Sequence, residues 1–406
     1  MLRLLHVNVR LTEGGAARIA LDLHERALGL GMESKLFYGY GKSAKASPVE
    51  KQIRGARCLG SRAQVVGNYA THKLLGMEFL HPARRVASEL CRSIASADVV
   101  HLHVLHSYYL PLDWMAAALT RAKRVIWTCH DYWPITGRCA FLEECEGWRS
   151  GCGLCRGGRN YPPAWLDMSR YVFKRRRALI DALLPRMVLV APTTFVAEKY
   201  RDAYPSGRVE VIHNGVDSWL ENAAEEMQIS SNCSAGPQIK LMVMANDLND
   251  PTKVDRALID EIMQRTDAEV HTIGRNSPFF GDMVVNHGEI GSRKRLVELL
   301  GTMDALLFTS RKDTFGLVMA EAIVCGVPVL ALESDAADEV LGLVNQKSMG
   351  RGELFELLSD SKSAKRELTS RRMTVQKNRY AFSGARMFEQ YHALYREGVG
   401  DHASNG

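Results

Sequence analysis

Two stretches of this chain concentrate residue types that can do chemistry. The first, RCAFLEECEGWRSGCGLCRG at 138–157, places Cys139, Cys145, Cys152 and Cys155 at a spacing of C-x5-C-x6-C-x2-C. Four thiolates so close in sequence can converge on a tetrahedral zinc, and the final C-x2-C is a common half-site. Four protein ligands leave no open position for water, so such a zinc is structural. A redox pair at the C-x2-C, or free thiols with two in the core, are the alternatives. The second stretch is RKDTFGLVMAEAIVCGVPVL at 311–330, in which the one charge between Phe315 and Leu332 is Glu321. Its neighbours Val318, Met319, Ala320, Ala322, Ile323 and Val324 leave that helix no polar face. An unpartnered buried carboxylate is costly. Glu321 therefore reaches a helix edge, meets hydroxyls or donors in a pocket, or joins an internal salt bridge. Gly316 stands near the helix start, where free N–H groups and the dipole attract anions. An acid that binds hydroxyls, beside a helix N-terminus that binds phosphate, describes a nucleotide-sugar pocket.

The elements that must position these residues follow from periodicity. Leu2 to Val9 reads as a strand, followed by the turn RLTEGG and a helical face of Ala16, Ala20, Leu23, Ala27 and Leu30. DVVHLH (98–103), RVIWTCH (124–130) and MVLVA (187–191) read as further strands separated by helix or loop. The polar, turn-rich stretch 218–238 reads as a linker region. The pattern then restarts with IKLMVMA (239–245), the loop DLNDPTK, the helix KVDRALIDEIM, and the strands EVHTIG (269–274), DALLFTS (304–310) and VPVLAL (327–332). Short apolar runs alternating with helices indicate parallel sheets with crossovers. The predicted class is α/β, two Rossmann-like domains, with ligand beyond the carboxyl ends of the strands in a cleft between them.

Bulk properties agree. A chain of 406 residues exceeds one ordinary core, and 46% apolar with 24% charged residues is a globular composition. MLRLLHVNVR reads as a first strand rather than a secretory leader, and no stretch has the uncharged length of a membrane helix. The expected compartment is the reducing cytoplasm, where disulfides are rare. Residues 1–216 carry 31 Lys+Arg against 18 Asp+Glu, and the remainder carries 21 against 28. The basic half, with Lys174 to Arg177, Arg84–Arg85 and Lys123–Arg124, suits nucleic acid, an anionic membrane face or a phosphorylated substrate, or is plain solvated surface.

Taken in order, several pieces resemble the retaining glycosyltransferases of the GT-B fold, family 4. Asp313-x7-Glu321 followed by CGVPV resembles that family's E-x7-E signature. EGGAARIALDLHERALGLG resembles its Gly-Gly turn and first helix, VIHNGVD (211–217) its NGVD element, TCHDYW its His-Asp element, and MDALLFTSRKDTFG the strand entering the signature. The resemblance covers most of the chain. It implies an N-terminal acceptor domain over 1–217 with a Cys-rich insertion at 131–165, and a nucleotide-sugar domain over 239–380. Residues 381–406 would form a helix returning to the first domain, and a tail. The donor would rest on Gly14, Gly15, Lys253, Arg275, Gly316, Leu317 and Glu321, with Asp313, His130 and Lys253 at the reacting centre. His103, Tyr108, Asp131 and Trp133 would meet the acceptor.

The implied reaction is front-face displacement. The leaving phosphate accepts the acceptor's proton, and no D-x-D pair is present to hold a catalytic metal. GDP-fucose or UDP-galactose is the favoured donor. The implied acceptor is a lipid-diphosphate-linked oligosaccharide of exopolysaccharide synthesis, met at the inner membrane face. Two positions depart from the family. Asp313 is one methylene shorter than the usual Glu, and Asp247 stands where an Arg usually holds the diphosphate, with Arg275 or Arg311 as possible substitutes. A non-catalytic nucleotide-sugar binder on the same fold is the competing reading. A zinc-dependent nucleic-acid binder is disfavoured because no basic recognition helix follows the cysteines. A dehydrogenase is disfavoured because no G-x-G-x-x-G follows the first strand. His101, His103 and His106 suggest a core or cleft-lining role more than a metal, since no carboxylate lies nearby in sequence. Cys58, Cys91, Cys129, Cys233 and Cys325 read as ordinary small residues.

Overall fold

A computed structural model of the chain describes residues 1–142, 144–153, 155, 161–227, 234 and 236–397. Cys233 lies outside the described residues. The chain divides into two compact units, one of Met1–Ile212 with the stretch from Gln390 onward, the other of His213–Glu389.

The first unit is built on seven strands, β1 (Arg3–Asn8), β2 (Glu33–Tyr38), β3 (Ala56–Cys58), β4 (Val99–Leu102), β5 (Val125–Thr128), β6 (Met187–Ala191) and β7 (Arg208–Val211). They form one parallel sheet in the order β3-β2-β1-β4-β5-β6-β7. The second unit holds β8 (Lys240–Asp247), β9 (Glu269–Arg275), β10 (Val284–Asn286), β11 (Ala305–Phe308) and β12 (Val329–Ala331), parallel in the order β10-β9-β8-β11-β12. The inner strands β4, β5, β6 and β11 are buried at every position. Helices cover both faces of a parallel sheet, so its inner strands read as unbroken apolar runs. Strand order reverses at β1/β4 in one sheet and at β8/β11 in the other, and loops at the carboxyl ends of such pairs bind ligands in this architecture.

The strands absent from the sequence reading are β2, β3, β7 and β10. Three of them are sheet edges, and β3 and β10 are three residues long. β3, β7 and β10 have no buried position and lack the apolar run of the inner strands. The expected linker at 218–238 needs correction, because Ser218–Glu226 is a helix. Asp217 caps it, accepting from Leu220 N, and Leu220, Ala223 and Ala224 are buried at helical spacing. Arg176 corrects the view of Lys174 to Arg177 as a solvated basic run. It is 2% exposed and lies 3.4 Å over the Trp133 ring. It donates to the carbonyls of Trp133 and Thr136, and burial lowers its pKa to about 10. Among the described residues no helix is long and apolar enough to cross a membrane.

Candidate functional site

In the second unit, the loops after β8 and β11 are laced together. Asp255 N donates to Thr309 Oγ1 at 3.0 Å, Arg311 N donates to the Thr252 carbonyl at 3.2 Å, and Arg311 Nη2 reaches Asp255 Oδ2 at 2.6 Å. This lacing brings Lys253 and Asp313 together across sixty positions: Lys253 Nζ is 2.6 Å from Asp313 Oδ1 and 3.0 Å from the Lys312 carbonyl. The Lys253–Asp313 pair is mostly shielded, with side chains 29% and 21% exposed.

Three residues on, Gly316 caps the helix Leu317–Val324 at φ 80°. A Cβ there would lie 2.6 Å from Met319 Cε and 3.0 Å from Phe308 Cζ, so both backbone and space demand glycine. Glu321, one turn into this helix, is 5% exposed. Its partner is Arg293, whose Nη1 lies 3.4 Å from Glu321 Oε1 while Nη2 pairs with Asp217. The salt-bridge possibility is thus realised in this structure. Arg293 was invisible to sequence reasoning because it sits in an ordinary charged run, GSRKRLVELL. Asp247, at the end of β8, accepts from Asn249 N and Asn276 Nδ2. Arg275 stands at the end of the neighbouring β9, half exposed, 3.8 Å from Glu289, and Arg311 is committed to Asp255.

In the first unit, Asn8 ties the loops after β1 and β4: its Nδ2 donates to the Arg10 carbonyl at 2.8 Å and its Oδ1 accepts from Val104 N at 3.1 Å. Gly14 caps the helix Gly15–Gly29 at φ 93°, with nothing among the described residues within 4 Å of where a Cβ would lie. His130, two residues past β5, contacts His103 at 3.0 Å, and burial lowers its pKa to about 4. Asp131 accepts from Trp133 N and pairs with His106 Nε2, both at 2.8 Å. Burial works against its carboxylate, yet His106 and the Trp133 N–H hold it below the usual range.

The expected acceptor aromatics need correction. Trp133 is 6% exposed with Arg176 across its face, and Tyr108 is 9% exposed, packed edge-on against Tyr69 and His72. Both rings are thus largely covered in this structure. Ser107 and Tyr108 both have positive φ, 77° and 75°, which marks this turn as strained and held by its surroundings.

Within the Cys-rich loop, Cys152 Sγ accepts from Gly137 N at 3.1 Å and Cys155 Sγ meets Ser169 Oγ at 3.2 Å. Burial raises the Cys152 thiol to about 11, and Cys155, Cys139 and Cys145 add to the shift, so the four share one neighbourhood. Among the described residues the group with metal-ligand atoms mutually within 4.8 Å is His6, His101 and His103, and not the cysteines. The donor set suits zinc in kind, while the sulfurs stand farther apart than direct coordination requires.

Comparison with known proteins bears on family and fold. Residues 13–219 match the model of Glycosyltransferase Family 4, and residues 280–355 match that of Glycosyl transferases group 1. The chain is 36% identical over 406 residues to WcaC of Escherichia coli (strain K12), a glycosyl transferase ascribed to colanic acid biosynthesis, covering 97% of this chain and 100% of that one. Among solved structures it is similar to the apo form of the lipopolysaccharide outer core galactosyltransferase WaaB, with TM-score 0.60 and 12% identity over 96% of this chain and 98% of the other. It is also similar to the pneumococcal O-GlcNAc transferase GtfA solved with UDP and GlcNAc, with TM-score 0.61 and 10% identity over 98% and 99%. At these identities the two structures speak for the fold alone.

Proposed function

Because the chain belongs to glycosyltransferase family 4 and has the GT-B fold, we propose that it is a retaining enzyme of exopolysaccharide synthesis. In this reading it moves a sugar from a nucleotide-sugar donor to a lipid-diphosphate-linked oligosaccharide. The observation that carries the proposal is the meeting of Lys253 and Asp313 at 2.6 Å, beside a glycine-capped helix that carries Glu321. Lys253 and the helix N–H groups face the diphosphate, whose negative charge grows as the bond to the sugar breaks. Asp313 accepts a hydroxyl of the donor sugar and Glu321 the ribose hydroxyls. The acceptor oxygen bonds to the anomeric carbon on the face the phosphate leaves, and the departing phosphate oxygen takes its proton. No catalytic metal enters this reading. The likeness to WcaC supports a colanic-acid-type product, and the reading takes GDP-fucose or UDP-galactose as the donor to be tested first.

A thermal-shift panel of nucleotide sugars, followed by assays of sugar release, tests the proposal. A true donor at a hundred times its dissociation constant adds about 2.7 kcal/mol of stability. Enzyme without acceptor should then hydrolyse it slowly. Tight binding with no release over many hours would leave a nucleotide-sugar binder instead.

The lipid-linked acceptor calls for peripheral membrane contact, and the supporting surface differs from the one expected at 174–177. There Arg176 is buried, while Arg175 and Arg177 pair with Asp113 and Asp181. Of sixteen exposed large apolar side chains among the described residues, ten lie within 66–80 and 161–171. The two stretches are joined where Trp165 N and Leu166 N donate to the carbonyls of Lys73 and Leu74. Trp165 is 75% exposed, Lys73 and Arg170 are exposed in the same segments, and Arg62, Arg84, Arg85 and Lys174 are exposed a few positions outside them. Apolar groups rimmed by cations suit an anionic bilayer, with about 1 kcal/mol per basic residue near the surface. Trp165→Ser with Leu166→Ser should release the protein from anionic phospholipid vesicles, while Lys73→Glu should do so in a salt-dependent way. Unaltered sedimentation with vesicles in both variants would remove this surface from consideration.

The four cysteines complete the proposal as a structural zinc site at Cys139, Cys145, Cys152 and Cys155. A bound zinc would hold the loop and supply no chemistry to the transfer. Metal analysis of purified protein should find about one zinc per chain. Chelation should lower thermal stability before it touches the chemical step. Fully active, metal-free protein would return these thiols to a redox or packing role.

A further inference from the structure

The first unit contains a row of buried imidazoles whose order has a chemical consequence. His130 Nε2 lies 3.0 Å from His103 Nδ1, and His103 Nε2 lies 3.4 Å from His6 Nδ1. His6 is 0% exposed, His103 is 2% exposed, and His6 Nε2 has no hydrogen-bond partner among the described residues. The register of the sheet creates the row by pairing His6 of β1 with His101 of β4. A cation among His6, His101 and His103 is disfavoured despite their closeness. His101 uses Nδ1 on Tyr395 Oη at 2.8 Å and Nε2 on Thr128 Oγ1 at 2.7 Å. Its ring also stacks on that of His103 at 4.2 Å, so the two face each other rather than converge on a point.

Burial, and after it the neighbouring imidazoles, hold His6 and His103 well below the ordinary range, and burial brings His130 down to about 4. At neutral pH each ring therefore carries one proton, and each contact needs one N–H and one lone pair. Two arrangements satisfy both contacts. In one, protons point from His130 toward His6 and strand an N–H at His6 Nε2. In the other they point from His6 toward His130 and leave a bare lone pair there. Among backbone groups an orphaned buried N–H is rarer than an under-satisfied acceptor, and we extend that preference to the ring nitrogen. Hence His6 Nδ1–H donates to His103 Nε2, and His103 Nδ1–H donates to His130 Nε2.

We propose that His103, backed by His6, is a positioning residue that fixes His130 as its Nδ1–H tautomer, so that His130 meets an oxygen ligand as a hydrogen-bond donor and not as a base. The functional half rests on the reading of His130 as a donor-site residue; the tautomer itself does not. It agrees with a displacement in which the leaving phosphate, rather than a side chain, takes the proton.

Long-range proton–nitrogen NMR of the full chain labelled with 15N-histidine tests this directly, with His130 signals assigned by their loss in His130→Gln. The expected result is a neutral His130 protonated at Nδ1, unchanged across pH 6–8, the interval in which an ordinary imidazole titrates. His103→Leu should lose that signature and cut turnover about tenfold, the lower end of the loss seen when the partner orienting a metal-bound imidazole is removed. His103→Asn, whose amide can donate from nearly the same place, should restore both. A proton on His130 Nε2 in the wild type overturns the proposal, as does a folded His103→Leu with an unmoved signature. If His103→Leu does not fold, the wild-type spectrum still decides. An intact signature in a chain that transfers no sugar would condemn the enzymatic reading and leave the tautomer assignment standing.

Discussion

Lys253→Ala is expected to lower kcat by about a hundred- to a thousandfold, the range seen when a preorganised group facing developing negative charge is removed. Lys253 Nζ is held by Asp313 Oδ1 at 2.6 Å and the Lys312 carbonyl at 3.0 Å, so its position is set before any ligand arrives. The diphosphate gains charge as it departs, and a cation fixed beside it favours the transition state over the bound donor. The loss should therefore fall on kcat more than on KM. The same geometry adds a control. Asp313→Asn keeps a hydrogen-bond acceptor for the ammonium but withdraws its counter-charge, so donor binding should persist while turnover drops. Steady-state kinetics with the identified donor, together with a circular dichroism spectrum to confirm folding, decide the matter. A change confined to KM would show that Lys253 only anchors the donor.

The second large effect concerns Glu321. Glu321→Gln should weaken nucleotide-sugar binding by roughly 1.5–3 kcal/mol, or about ten- to 150-fold, as expected on losing hydrogen bonds to a charged acceptor. The structure adds a cost that the sequence alone did not reveal. Arg293 Nη1 lies 3.4 Å from Glu321 Oε1 and its Nη2 pairs with Asp217, which also caps the helix Ser218–Glu226. Neutralising a mostly buried member of such a network should lower stability as well as affinity. Calorimetric titration and urea denaturation separate the two. In a double-mutant cycle with Arg293→Met, the stability losses should be strongly non-additive, because each change breaks the same contact. A folded Glu321→Gln that loses stability and keeps full donor affinity would make Glu321 a purely structural partner of Arg293.

Much of the site's local grammar was legible in one dimension. Strands such as MVLVA at 187–191 coincide with β6 because an inner parallel strand, covered on both faces, must be apolar throughout. Asp313, Gly316 and Glu321 were readable because they lie within one strand–loop–helix, where spacing fixes geometry: Gly316 needs φ 80° and Glu321 falls one turn later. The edge strands β3 and β7 and the helix Ser218–Glu226 were missed because each is short and half polar.

Contacts between distant segments were another matter. Nothing local to Arg176 distinguishes it from Arg175 and Arg177, yet the fold buries that one beneath Trp133 and leaves the others on the surface. Trp133 and Tyr108 could be read as acceptor contacts or as packing, because an aromatic residue carries no mark of which face will be covered. Residue type and spacing by themselves determined the two α/β halves, the glycine-capped helix with its lone carboxylate, and the four-cysteine loop. The tertiary structure alone decided that Lys253 meets Asp313, that Arg293 meets Glu321, and that His6, His103 and His130 stand in a row. The reason is that a strand or helix obeys its own periodicity, whereas partners sixty or ninety-seven positions apart are chosen by sheet order and register.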